Sequence, residues 1–84
     1  MKIVAAAVQY KGLTFSVEIP GRHCDVLRLM VKAGLSRPIR DDVQGFLTNV
    51  GTFVDRVEAG RIAIEAGQLP SLPVPPDLYS EDLW

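Results

Sequence analysis

An 84-residue chain with nine Lys and Arg, ten Asp and Glu and a single cysteine carries a formal net charge of −1. That length supports one domain, and so short a chain buries a smaller share of its surface than a domain of roughly 150 residues, which makes a homodimer or higher homo-oligomer the expectation. The charge excludes the strongly basic footprint of a duplex nucleic-acid binder, and a lone Cys24 excludes an internal disulfide and fits a reducing compartment, the cytoplasm.

Apolar residues make up 48 %, charged residues 23 %, and the mean hydropathy is +0.17, a balance that predicts a folded domain. The apolar part of "MKIVAAAVQY" is only six residues long, too short for a signal peptide or a membrane span. The stretch from Ile3 to Ile19 reads as a hairpin. Lys11-Gly12 interrupts two apolar-rich runs, and Phe15, Val17 and Ile19 alternate with Ser16 and Glu18. Pro20-Gly21 stops the sheet. From Arg22 to Ala33 the spacing is helical, with Leu27, Met30, Val31 and Leu35 as the apolar stripe and Arg22, Asp25, Arg28 and Lys32 opposite. Gly34 is placed to cap its end.

"SRPIRDD", residues 36–42, reads as an exposed connection. "VQGFLTNVGTFVD" then predicts a second hairpin whose Asn49-Val50-Gly51 turn puts glycine at the position needing positive φ. Asp55 followed by Glu58 has the spacing of an N-cap and its third helical residue, which opens a second helix running to about Ala66. Ala59, Ile62, Ala63 and Ala66 give that helix a small-residue face, Gly60 and the alanines let another backbone come close, either the sheet or a second copy of the protein, and Gly67 ends it. "LPSLPVPP" predicts an extended strap, and "DLYSEDLW" predicts docking, because a tryptophan left in water wastes a large apolar ring. The expected fold is therefore α+β: a small antiparallel sheet of two hairpins with two helices packed on it. Residues 1–69 form the domain and residues 70–84 an extended Pro-rich strap and docking tail.

Catalytic chemistry finds little support. His23 and Cys24 are neighbours on a helix and point a quarter-turn or more apart, a poor arrangement for base and nucleophile, and Cys24 reads as a small apolar filler. There is no second histidine and no cysteine pair for a metal. Asp41-Asp42 and Glu81-Asp82 sit in stretches that read as solvated, and the glycines follow no phosphate-cradling pattern. The reading is a protein without catalysis, cofactor or metal.

Charge distribution is more informative. Residues 77–84 hold Asp77, Glu81 and Asp82 with no base, which leaves nine basic against seven acidic groups in residues 1–76. Arg22 and His23 stand where the first helix begins and Arg56 where the second does. Helix starts already carry partial positive charge and free N–H donors, so cations there imply an anion nearby. Arg28 extends the same polar face, and Phe53 or Tyr10 could stack on a nucleobase. Plainer readings stand beside this one: Arg56 paired with Asp55 or Glu58, and His23 satisfied within the fold.

At "GRHCDVLR", "QGFLTNVGTFVDRVEAGRIAIEAGQL" and "LYSEDLW", the chain resembles the first described Thoeris anti-defence family of phage sponge proteins. The resemblance implies a small α+β phage protein that forms homo-oligomers in the bacterial cytoplasm. It also implies sequestration, without cleavage, of cyclic ADP-ribose isomers made by host TIR-domain enzymes and, in some members, of cyclic oligonucleotides at a separate site. By that resemblance Arg22, His23, Arg28, Phe53 and Arg56 are ligand-facing, and Asn49 of the intervening turn joins the candidate set. The chain is shorter than members of that family, its prolines after Leu69 standing where they have more chain, so a ligand contact supplied late in those proteins would be missing. The alternative is a protein-interaction module acting through "DLYSEDLW".

Overall fold

Alternation builds the first hairpin as expected. In the computed structural model, which describes residues 1–35 and 43–84, β1 (Ile3–Tyr10) and β2 (Leu13–Glu18) pair antiparallel from Ala5 opposite Glu18 to Tyr10 opposite Leu13. The expected connection over 36–42, with Asp41-Asp42, lies outside the described residues. β3 (Val43–Thr48) returns antiparallel beside β1, and β4 (Phe53–Asp55) pairs with β3, giving the sheet order β2-β1-β3-β4. The turn between β3 and β4 falls at Asn49-Val50-Gly51, with Gly51 at φ 83°, a left-handed conformation that glycine adopts without steric cost.

Register assigns the faces. Ala6 lies between Val17 and Phe46, and Phe46 faces Val54, so these side chains share one face. Ala5, Ala7, Gly45, Leu47 and Phe53 belong to the other. Between Ile3, opposite Thr48, and Ala5, opposite Leu47, the ladder shifts by one residue. That bulge brings Ile3 onto the Phe46 face.

Both long helices cover the Phe46 face. α1 (His23–Lys32) buries His23, Val26 and Met30. Of the expected stripe, Met30 is buried and Leu27 and Leu35 pack at the margin of the core, Val31 is exposed, and His23 and Val26 join the inward side. The cause is His23, which plugs into the sheet and sets the helix's rotation. Cys24, one residue on, turns outward and is exposed, which corrects its reading as an apolar filler. α1 starts one residue later than expected, with Arg22 as N-cap and its backbone N–H donating to the Asp25 carboxylate at 2.8 Å.

α2 (Arg56–Glu65) starts at the expected cap: the Glu58 N–H donates to Asp55 Oδ1 at 2.8 Å. It buries Ala59, Gly60, Ile62 and Ala63, while Ala66, past the last helical residue, is exposed rather than part of that face. A Cβ on Gly60 would lie 2.8 Å from Leu72 Cδ1 and 3.4 Å from the Pro76 carbonyl oxygen. The chain that approaches Gly60 is thus the 72–76 stretch.

Two apolar clusters result. Ile3, Phe46, Ala59, Ile62, Ala63 and Leu78 pack beneath α2, and Ala6, Val8, Val26 and Met30 beneath α1. Trp84 packs against both. It follows a short helix, α3 (Ser80–Leu83), that the sequence reading did not anticipate. The opposite sheet face carries no helix among the described residues, only a shallow groove lined by Val4, Ala5, Ser16, Glu18, Ile19 and Leu47.

Candidate functional site

The two helix starts converge because β3 serves both. α2 begins directly after Asp55, which lies opposite Gly45, and the first residue of α1, His23, reaches the same glycine. His23 Nε2 is 2.7 Å from the Gly45 carbonyl oxygen. A carbonyl can only accept, so Nε2 carries the proton and the ring is held as that tautomer. The imidazole also stands edge-on to Phe46, 4.9 Å between centroids. Burial pushes the His23 pKa below its ordinary value, opposed by the Gly45 hydrogen bond; nearby Arg56 lowers it further and Glu81 raises it. On the other face of the sheet Gly45 makes room for β4, since a Cβ there would collide with the Val54 carbonyl and stand 2.7 Å from the Phe53 ring.

Arg56 pairs with neither Asp55 nor Glu58. Its guanidinium donates to the Leu78 carbonyl at 2.9 Å and to Gln44 Oε1 at 2.6 Å, and it lies over the Tyr79 ring at 4.5 Å. In return the Leu78 N–H donates to the Arg56 carbonyl at 3.0 Å. Arg22 meets the Glu81 carboxylate at 3.5 Å and donates to the main-chain oxygen of Trp84. The Trp84 indole N–H donates to the Gly21 carbonyl at 2.9 Å, and its ring stands edge-on to Phe46 at 6.3 Å.

At the first helix start the anion is supplied by the chain itself, as Glu81, whereas Arg56 at the second is met by neutral acceptors. Glu81 has its pKa lowered by its own backbone N–H first, then by the Ser80 hydroxyl, Arg22 and Arg56. With side chains 39 % and 65 % exposed, the Arg22–Glu81 pair contributes little stability on its own, about 1 kcal/mol at most. The pair's significance is positional: it marks where negative charge is held.

Of the six candidate residues, the structure brings Arg22, His23 and Arg56 together. Arg28 points away, 68 % exposed and paired with Asp25 of its own helix at 3.2 Å. Phe53 lies on the opposite sheet face, over Gly45. Asn49 is at the far end of β3, where its side chain accepts from the Lys2 N–H at 3.0 Å. Tyr10 packs at the edge of the α1 cluster. The sequence reading omitted Gln44, Phe46, Tyr79, Glu81 and Trp84 from the site. The one signal for the last three was the acidic, aromatic composition of residues 77–84 set against a basic body.

Among the described residues no three His, Cys, Asp or Glu side chains are grouped to hold a metal ion, and no helix is long and apolar enough to cross a membrane. No curated protein and no solved structure matches the chain. The family model described as Phage T4 y16D protein matches residues 2–84, a span that takes in both helix starts, the shared strand and the segment docked between them. The chain belongs to that phage protein family.

Proposed function

We propose that this phage protein is a non-catalytic binder of cyclic nucleotide messengers, cyclic ADP-ribose isomers foremost, which it sequesters in the cytoplasm of the infected bacterium as a homo-oligomer. The observation that carries the reading is that both helix starts hold the 78–84 segment, Arg22 through the Glu81 carboxylate and the Trp84 main-chain oxygen and Arg56 through the Leu78 carbonyl, with His23 bound to β3 between them. Guanidinium groups suit phosphate as well as carboxylate. The resemblance to the Thoeris anti-defence sponges and the membership of a phage family support the same biology. A sponge needs tight binding and slow release and no general base. That His23 has its Nε2 committed to the Gly45 carbonyl, with Cys24 turned outward, agrees with a site that holds rather than cleaves.

The test is native mass spectrometry of the protein mixed with a panel of cyclic ADP-ribose isomers and cyclic di- and trinucleotides, followed by heat release of whatever is bound. Recovery of an intact nucleotide is the expected result. A hydrolysed product would make the protein an enzyme. Absence of any bound nucleotide, together with capture of a host protein that depends on residues 77–84, would replace the reading with that of an interaction module.

A further inference from the structure

The place of Trp84 has chemical content beyond packing. Its indole is a flat bicyclic ring set between the two apolar clusters, edge-on to Phe46, with its one N–H donor satisfied by the Gly21 carbonyl at 2.9 Å. Within reach of the same ring, Arg22 holds two oxygens, the Trp84 main-chain oxygen and the Glu81 carboxylate. A purine nucleotide presents the same combination: a flat bicyclic ring bearing N–H donors, joined to anionic oxygens.

We infer that the Trp84 slot, floored by Phe46 and rimmed by the Gly21 carbonyl and Arg22, is the seat of a purine base, and that residues 79–84 are an internal occupant which a purine nucleotide displaces. This rests on the nucleotide-binding reading above and assigns its base and phosphate positions. Leu78 is the pivot: it is fully buried, and its backbone is clasped on both sides by Arg56. Arg56 is bound to Leu78 and Gln44, both outside the displaced segment, and touches that segment only through the Tyr79 ring. Arg22, by contrast, exchanges Glu81 and the Trp84 oxygen for phosphate. Because the competent state is the one with the segment lifted, apparent affinity falls below intrinsic affinity by the fraction of molecules that are open.

Trp84 is the single tryptophan of the chain, so its emission reports the slot directly. The experiment titrates the full chain, and Trp84→Gly, with AMP and with ribose 5-phosphate, following emission and calorimetry. AMP is expected to shift the wild-type emission to the red and to raise acrylamide quenching, while ribose 5-phosphate, which lacks the base, does neither. Trp84→Gly should bind AMP at least tenfold more tightly than wild type, and Arg22→Ala added to it should lose at least tenfold. Should Trp84→Gly not fold, Glu81→Gln, which removes only the competing carboxylate, should tighten AMP several-fold. AMP binding of equal strength in wild type and variants, or calorimetric saturation with unchanged emission, would overturn the slot assignment and leave the nucleotide-binding reading standing. No binding of AMP or of any cyclic nucleotide to any of these proteins would overturn both.

Discussion

Replacing Arg56 by alanine removes the tie between α2, β3 and the C-terminal segment at Leu78 and Tyr79. The side chain makes two charge-assisted hydrogen bonds, to Leu78 and Gln44, and a cation–π contact with Tyr79. Arg56 is half-buried, so for solvent screening each hydrogen bond is taken at about 1 kcal/mol, the value of an uncharged one, and the ring contact at about 0.5 kcal/mol. Loss of all three lowers stability by about 2.5 kcal/mol. Arg56→Lys keeps a cation over Tyr79 but loses the planar fork that serves two acceptors, and should lose about half as much. In urea denaturation, with a slope of about 1 kcal/mol per molar for so small a chain, the alanine midpoint should fall by roughly 2.5 M. Native Trp84 emission should move to the red, because the Leu78 pivot is loosened. A variant within 0.5 kcal/mol of wild type (about the noise of such a comparison) and with unmoved emission would refute the reasoning: the segment would then be held by apolar burial alone.

Asp55→Ala removes the accepting oxygen for the Glu58 N–H and should destabilise the fold by about 1 kcal/mol in thermal denaturation. Gly45→Ala drives a Cβ into the Val54 carbonyl and Phe53 and should cost at least about 2 kcal/mol, with broadening of the His23 ring signals in NMR as their acceptor moves. Arg28→Ala removes only an exposed pair with Asp25 and should change stability by less than about 0.5 kcal/mol in the same denaturation assay. His23 has a lowered folded pKa against an ordinary 6.5, so the unfolded chain binds the proton first. Its contribution is complete above pH 6.5 and is lost as pH falls through the folded value. Glu81, lowered from 4.5, follows the same sign at more acid pH. The melting temperature should therefore decline from pH 6.5 downward, and His23→Gln should flatten the upper part of that decline.

Both hairpins, both helices and the Asp55 cap were legible because each is written locally, in alternation, turn residues and spacing. The rotation of α1 was not. Period alone offered Leu27, Met30, Val31 and Leu35; Leu27, Met30 and Leu35 do pack on the core, but the long-range bond from His23 to Gly45 turns the helix so that Val26 is buried and Val31 is exposed. The site divides along the same line. Cations at two helix starts predicted a nearby anion; Arg22 meets Glu81, while His23 and Arg56 are held by the neutral acceptors Gly45, Leu78 and Gln44. Local motif placed Phe53 and Asn49 with them, but strand parity puts Phe53 on the other face of the sheet and the length of β3 carries Asn49 to its other end. That Glu81 is the anion follows from the fold's closing on itself, which no spacing encodes.

The ladder slip between Ile3 and Ala5 also governs which length changes this chain tolerates. Two residues of β1 there span one step of β3, so Val4 is the surplus member and sits in the groove of the uncovered face. Excising Val4 would regularise the ladder and leave Ile3 pointing at Leu78, whereas excising one residue between Ala6 and Val8 would exchange inside for outside along the strand. Natural insertions and deletions in this family should therefore concentrate at this one step of the first strand and avoid the five residues that follow it.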